Sequence, residues 1–245
     1  MLLRSTVLLA VGLLAAAPGT AALPPVGAGE RVVFTEDFAD NRNTWSAVAV
    51  LGKTGKPANG QAALADSCWT PSIQDSGAVL STAPLKPAIK LQDGPVSVYF
   101  AASVANPEGT EGNRFGVAIN EAESARGFVR LIVRPAASAF LEYRDIGGAG
   151  QSASIQTTQA AFTTGSGPRN FKFTITPSAD GRAPATAEAF AYDPKTKAYV
   201  SLGAVQNLVS LKTGEFQSLT LFSRNGDQGV VWIDSVVITQ SAARR

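Results

Sequence analysis

Residues 230–239 read VVWIDSVVIT, a long and mostly apolar stretch that carries one carboxylate, Asp234. Residues 32–38 read VVFTEDF, a second stretch rich in β-branched and aromatic residues that runs into an acidic turn. Such compositions are typical of strands, so both stretches are predicted to be strands. We expect these two strands, near opposite ends of the chain, to pair or lie side by side and close a β-sandwich.

Between them, short strand-like segments recur, separated by Gly, Pro, Asn and Asp. The clearest alternation begins at Val96, where Val96 and Val98 are predicted to face one side and Ser97 and Tyr99 the other. Similar patterns predict strands at 115–119, 129–133, 141–143, 171–175 and 216–222. Because helical periodicity is hard to find, the sequence predicts an all-β protein, a two-sheet antiparallel sandwich in one domain.

The first 22 residues have the pattern of a signal peptide. Arg4 precedes an apolar run at 7–17 that is too short to cross a bilayer, and small residues lead to a candidate cleavage site before Leu23. The alternative is an N-terminal membrane anchor. We therefore expect a signal peptide at 1–22, a linker at 23–30, one β-sandwich domain at 31–240 and a tail at 241–245. The product is predicted to be secreted or periplasmic, with no membrane span in the mature chain.

The composition excludes several classes of function. The 21 Lys and Arg residues nearly balance 19 Asp and Glu, and no dense basic cluster suggests a nucleic-acid partner. The chain has no histidine, which rules out a Ser-His-Asp triad, a Cys-His pair and His-ligated zinc. Cys68 is the only cysteine, so no intramolecular disulfide can form.

Four short motifs together resemble the concanavalin A-like lectin/glucanase superfamily: FTEDF at 34–38, Trp45, NGQAAL at 59–64 and WIDSVVI at 232–238. The resemblance implies a jelly-roll fold. In the laminarinase-type glucanases of this superfamily, the Asp of the closing strand is a calcium ligand. The resemblance therefore implies one structural calcium ion, the only cofactor expected, with ligands at Asp234 and Gly60 and further candidates Glu36 and Asp37. Such oxygen ligands suit calcium, but Asp234 could equally bond only to a neighbouring loop.

The glucanase catalytic motif is missing. Those enzymes carry Glu-x-Asp-x-Glu on one strand, or the same motif with one extra residue. Glu121 and Glu123 have the spacing of two acids, but the third position falls on Ala125 or Arg126, and Glu142 has no acid at either spacing. Because glycoside hydrolysis needs two carboxyl groups at a defined separation, a glucanase of this type is not expected.

One polar surface is predicted to bind a ligand. If the strand register holds, one sheet face carries Tyr99, Arg114, Arg130, Glu142 and Arg144. Arginine forks match the carboxylate of an acidic sugar, and Trp69, in a polar segment, is the best candidate for an exposed stacking aromatic. The same face could be a lyase site with Tyr99 moving the proton, or a plain solvated face with weak ion pairs.

These observations leave three functional hypotheses. The first is an exported, monomeric, non-catalytic carbohydrate-binding module whose partner is a carbohydrate or surface glycan. The second is a polysaccharide lyase or glycoside hydrolase that acts on an acidic glycan through the arginines, Glu142 and Tyr99. The third is a structural or adhesive cell-surface module with a protein partner.

Overall fold

The computed structural model describes residues 23–50, 60–65, 67–73, 77–105, 114–120, 127–134, 138–144, 153–156, 167–179, 183–211, 214–224 and 231–242. Within these ranges the chain forms fifteen strands and two 3-10 turns, at Leu91–Asp93 and Val209–Leu211. The strands are β1 (Arg31–Glu36), β2 (Val48–Val50), β3 (Gln61–Ala65), β4 (Cys68–Ser72), β5 (Ala78–Lys90), β6 (Val96–Val104), β7 (Arg114–Ile119), β8 (Phe128–Val133), β9 (Ala139–Arg144), β10 (Ala153–Gln156), β11 (Arg169–Thr176), β12 (Ala185–Asp193), β13 (Ala198–Leu208), β14 (Glu215–Arg224) and β15 (Val231–Gln240). Among the described residues, no helix has the length and apolar character that a membrane crossing requires.

The strands form two sheets. The nine-stranded sheet has the order β13-β12-β11-β6-β15-β4-β3-β2, and β1 also pairs with β15. The six-stranded sheet has the order β10-β9-β8-β7-β14-β5. Neighbouring strands are antiparallel, apart from the parallel pair β2 and β3. The predicted two-sheet antiparallel sandwich is confirmed.

The first and last strands pair, as the two opening stretches predict. Glu36 lies opposite Val236 and Arg31 opposite Gln240, so β1 runs antiparallel along β15. On its other side, β15 pairs with β6 along its whole length. Nine of the ten residues of β15 are buried, so both of its faces are covered, which explains why this stretch is apolar without strict alternation.

The core lies between the two sheets and is built from the alternating apolar positions. Phe100, Phe171 and Phe173 of the larger sheet and Leu131 and Leu219 of the smaller one are fully buried in one cluster. Each such side chain contributes about 1.5–3 kcal/mol by leaving water. Because every second residue of β7, β8 and β9 is held in this core, the residues between them are fixed on the outer face of the smaller sheet.

Two strands differ from the prediction. The sequence gives no clear signal for β2, and it predicts only a short strand near Val79, whereas β5 spans thirteen residues. Pro84 and Pro87 lie within β5, and proline cannot donate a backbone hydrogen bond. The strand tolerates them because β5 is an edge strand that pairs only with β14.

Candidate functional site

The outer face of the six-stranded sheet carries a cluster of arginines. Strand register places Arg130 of β8 directly opposite Glu142 of β9, and Arg144 opposite Phe128. On the neighbouring pair, Arg114 of β7 lies opposite Arg224 of β14. Four residues predicted from sequence, Arg114, Arg130, Glu142 and Arg144, therefore lie on one face. This surface, with Arg134 and Arg224 added, is called the arginine face below.

Glu142 is held by two arginines. The Nε and Nη2 atoms of Arg130 both lie 2.7 Å from Glu142 Oε2, and Arg144 Nε lies 2.9 Å from Oε1. The Glu142 side chain is only 15% exposed. Burial opposes its ionisation, but Arg130 and Arg144 outweigh burial and hold the pKa of Glu142 below its usual value. Glu142 is therefore an ionised carboxylate whose two oxygens are both engaged.

Three other arginines lie in a line across the same face, and we call them the arginine row: Arg224, Arg114 and Arg134. Arg134 directly follows Val133, whose partner on β7 is Phe115, the residue after Arg114. Among the described residues, none of the three has a carboxylate within ion-pair distance. Burial, and then the positive charges of the neighbouring arginines, lower the pKa of Arg114.

Two adjoining pockets open on the arginine face, with volumes of about 290 and 250 Å³. Both are lined by Arg114, Arg130, Arg224 and Ile132. The first pocket has an apolar wall that includes Leu80, Phe222 and Ala78, and the second adds Arg134, Phe140, Glu142 and Arg144. Sites for small ligands begin at about 300 Å³, so together the two pockets have the volume for a sugar-sized group and its neighbour.

Aromatic rings flank the guanidinium groups. The Arg134 guanidinium carbon lies 4.5 Å from the centre of the Phe140 ring, and that of Arg130 lies 5.3 Å from the centre of Phe222. These contacts position the flat guanidinium groups and add apolar surface beside them. The arrangement can bind a ligand that combines negative charge with an apolar ring face.

No protein-family model matches the chain, and no curated protein matches it. Solved structures do match. The CBM2 module of Lactobacillus casei BL23 phage J-1 evolved Dit is 13% identical, with a TM-score of 0.54, over 89% of this chain and 98% of that chain. The Emp47p carbohydrate recognition domain is 12% identical, with a TM-score of 0.52, over 89% of this chain and 100% of that domain. Bacillus licheniformis beta-glucanase is 10% identical, with a TM-score of 0.52, over 86% of this chain and 98% of the glucanase chain.

The fold is a concanavalin A-like jelly roll. At these identities the similarity concerns the fold alone, and the residues of the arginine face have to be interpreted from their own geometry. The fold expected from the four sequence motifs is confirmed.

Tyr99 does not belong to the arginine face, contrary to the prediction. It lies on β6 of the larger sheet of the jelly roll, where it is fully buried. Its hydroxyl group donates to Glu30 Oε2 at 2.6 Å and accepts from the backbone N–H of Gly27 at 3.2 Å. Burial and the bond to Glu30 raise the pKa of Tyr99. It therefore cannot move a proton at the arginine face.

Trp69 is not an exposed stacking residue either. It lies in β4 and is completely buried, and its Nε1 donates to Ser81 Oγ of β5 at 2.9 Å. This bond links the two sheets of the jelly roll. The prediction fails because residues 68–72 form an interior strand and not a polar loop.

The predicted calcium ligands do not form one oxygen cage. Fully buried Glu36 lies opposite the core residue Val236, and its carboxylate accepts bonds from the backbone N–H of Phe38, from Asn43 Nδ2 and from Trp45 Nε1, each at 2.7 Å. Its oxygens are thus satisfied by protein donors.

The other three predicted ligands are also engaged elsewhere. Asp37 pairs with Arg42 at the surface, and the backbone N–H of Gly60 donates to the Ser72 carbonyl. Asp234 lies at a β-bulge and accepts from Ser103 Oγ at 2.7 Å, and burial raises the pKa of Asp234 to about 6. Within the part of the chain that the structure describes, no group of three or more His, Cys, Asp or Glu side chains could hold a metal ion. The described residues do not fit the calcium site that the resemblance implied.

Two members of the site, Arg134 and Arg224, are not among the site residues predicted from the sequence. Alternation along the strand at 129–133 places Arg134 on the same face as Arg130, but it gives no reason to include it in the site. Arg224 is missed altogether, and one further step of alternation from outward-facing Phe222 would have placed it on the arginine face. Glu121, Glu123 and the glycines at 147–150 lie outside the described residues.

Proposed function

We propose that this protein is an exported, non-catalytic carbohydrate-binding domain that holds an acidic glycan on the arginine face. The observation that carries the proposal is the pair of adjoining pockets lined by five arginines and a single carboxylate. Guanidinium groups bind carboxylate and sulfate groups through paired, charge-assisted hydrogen bonds. A surface of this charge selects an anionic ligand.

The aromatic and aliphatic residues of the pockets suit a sugar. Phe140, Phe222, Ile132 and Leu80 offer apolar contact beside the charged groups, which fits the C–H surfaces of a pyranose ring. The site is built on paired strands with their inner faces in the core, so little order has to be imposed when a ligand binds. The solved structures of the same fold include a carbohydrate recognition domain and a CBM2 module, which supports a carbohydrate over a protein partner.

The state of Glu142 favours binding over catalysis. Both glycosidase mechanisms use two carboxyl groups, and the described residues of the arginine face contribute one. Both oxygens of that carboxylate accept bonds from arginines, and its pKa is lowered, which is the wrong direction for a general acid. The lyase hypothesis relied on Tyr99, which lies on the other sheet.

The test measures retention of residues 23–245 by a panel of neutral and acidic polysaccharides, by pull-down for insoluble polymers and affinity electrophoresis for soluble ones. We expect retention by acidic polymers and none by neutral glucans. The double variant Arg114→Ala/Arg130→Ala removes two arginines that line both pockets. It should weaken binding about 10-fold to 100-fold, since a charge-assisted hydrogen bond contributes about 1.5–3 kcal/mol.

The control is Lys195→Ala, which removes one positive charge from the exposed turn between β12 and β13 of the other sheet. It should bind like the parent. Equal binding of neutral and acidic polymers, or unchanged binding by the double variant with its fold intact, would overturn the proposal.

A further inference from the structure

The arginine row is an unusual feature of a sheet surface. Arg224 and Arg114 are directly opposite each other on β14 and β7, and Arg134 directly follows Val133, the last residue of β8. Adjacent strands are about 4.8 Å apart, so three positive side chains lie side by side at neighbouring strand ends. Like charges directly opposite in a sheet destabilise it. The arrangement therefore needs a negative group to offset the repulsion.

Within the described chain, no carboxylate neutralises the row. The ion pairs on this face are those of Glu142 with Arg130 and Arg144, and none reaches Arg114, Arg134 or Arg224. The Nε atom of Arg134 is buried and has no hydrogen-bond acceptor among the described groups. A buried N–H without an acceptor is costly, and a bound anion would supply one.

The two halves of the arginine face thus differ in chemistry. In one half, Arg130 and Arg144 already hold a carboxylate, that of Glu142, which offsets one of their two positive charges from within the chain. In the other half, three guanidinium groups from three strands converge on one pocket without such a partner. Arg114, in the centre of the row, lines both pockets.

We propose that the arginine row binds a sulfate ester, so that the ligand class is a sulfated glycan; this inference rests on the proposed function. A carboxylate is planar and has two oxygens, which one or two guanidinium forks saturate. A sulfate ester is tetrahedral and has three terminal oxygens that point in different directions. Three guanidinium groups approaching from three strands match that geometry. A phosphate monoester has the same three terminal oxygens and is separated from sulfate by the experiment.

The experiment compares two polymers with one backbone, unsulfated chondroitin and chondroitin sulfate, at equal ionic strength. Both carry uronate groups and only one carries sulfate esters. We expect residues 23–245 to bind the sulfated polymer at least about tenfold more tightly. Arg114→Ala and Arg224→Ala should each remove most of that difference and weaken binding of the unsulfated polymer to a smaller extent.

Arg114→Lys is the matched variant that keeps the charge and loses the planar fork. It should bind the sulfated polymer more weakly than the parent does, because the geometry as well as the charge is used. Inorganic sulfate should raise the melting temperature of the parent more than that of Arg114→Ala. Without anion, Arg114→Ala should melt no lower than the parent, because it relieves repulsion.

The outcomes separate the two proposals. Equal binding of the two chondroitins, with the row variants unchanged, would overturn the sulfate assignment and leave acidic-glycan binding standing. Absence of binding to both polymers, and to the rest of the acidic panel, would overturn the proposed function itself. Stronger competition by inorganic phosphate than by sulfate, together with tighter binding of a phosphorylated mannan, would reassign the row to phosphate esters.

Discussion

Replacing Glu36 with alanine should be among the most destabilising single changes in β1. Glu36 is fully buried, and its carboxylate joins the end of β1 to the following turn by accepting bonds from the N–H groups of Phe38, Asn43 and Trp45. Alanine removes all three acceptor contacts at once. It also leaves the indole N–H of Trp45, a residue that is only 4% exposed, without a partner.

The size of the effect follows from these contacts. A hydrogen bond to a charged group contributes about 1.5–3 kcal/mol, and partial relaxation of the turn offsets some of the loss. We therefore expect the free energy of unfolding to fall by about 4 kcal/mol, within the range of about 3–5 kcal/mol seen when a buried charged network is broken. For a domain of this size, that corresponds to a drop in melting temperature of about 8–16 °C.

The assay is urea unfolding followed by far-ultraviolet circular dichroism, which does not depend on the environment of Trp45. The matched control is Asp37→Ala at the next position. Asp37 is half-exposed and pairs with exposed Arg42, so its loss should cost less than about 1 kcal/mol. Trp45→Phe, which removes the N–H donor and keeps an aromatic ring, should cost an intermediate amount.

Two results would refute this reasoning. If Glu36→Ala were no more destabilising than Asp37→Ala, the three bonds would not stabilise the fold as described. If calcium raised the melting temperature of the parent and Glu36→Ala abolished that rise, Glu36 would be a metal ligand. We expect the parent to unfold identically in calcium and in a chelator.

Three further changes test other parts of the fold. Burial raises the pKa of Asp234 to about 6 from an ordinary 3.8. Ionised Asp234 therefore lowers the free energy of unfolding above pH 6, and this loss of stability disappears as the pH falls towards 4. Asp234→Asn should therefore raise the free energy of unfolding by on the order of 2 kcal/mol at pH 7.5 and by almost nothing at pH 4. An increase that does not depend on pH would contradict the role of Asp234 ionisation. Trp69→Phe should lower the free energy of unfolding in urea by about 1–2 kcal/mol, because the hydrogen bond to Ser81 between the sheets is lost. Retention by acidic glycans should stay unchanged, and its loss would mean that Trp69 contacts the ligand. Gly116→Ala should lower the free energy of unfolding by at least about 3 kcal/mol, because its new Cβ would overlap the backbone carbonyl oxygen of Leu131. An unchanged urea midpoint would disprove that contact.

The alternation of apolar and polar residues along single strands predicted most of the arginine face. The strands β7, β8 and β9 are consecutive in the chain and adjacent in one sheet, so the period of two alone placed Arg130, Glu142 and Arg144 on a common face. The burial of β15 on both faces followed from composition, since an apolar stretch without strict alternation is typical of a strand covered on both faces.

Sheet membership could not be predicted in the same way. Tyr99 lies only one strand before Arg114 in sequence, yet the chain crosses from one sheet to the other between β6 and β7. Alternation determines which side of its own strand a residue faces, and it carries no information about which sheet the strand joins. Trp69 is a different case, because its polar neighbours in sequence suggest a loop, whereas residues 68–72 form a buried strand between β3 and β15.

The calcium site stays a prediction that the described carboxylates do not confirm. A short motif places acidic residues near a strand end, but it does not say which face of the sheet each one occupies. The bulge in β15 between Ile233 and Ser235 directs Asp234 towards Ser103, while Glu36 lies with the core side chain of Val236. A single additional residue in a strand is enough to separate two carboxylates that the motif places together.

The position of β15 bears on when this protein can fold. The strand nearest the C-terminus lies in the interior of the larger sheet, with β6 on one side and β1 and β4 on the other. Until residues 231–240 have left the ribosome, β1 has no partner strand and β6 presents an open edge. The larger sheet is therefore complete only once β15 has been synthesised.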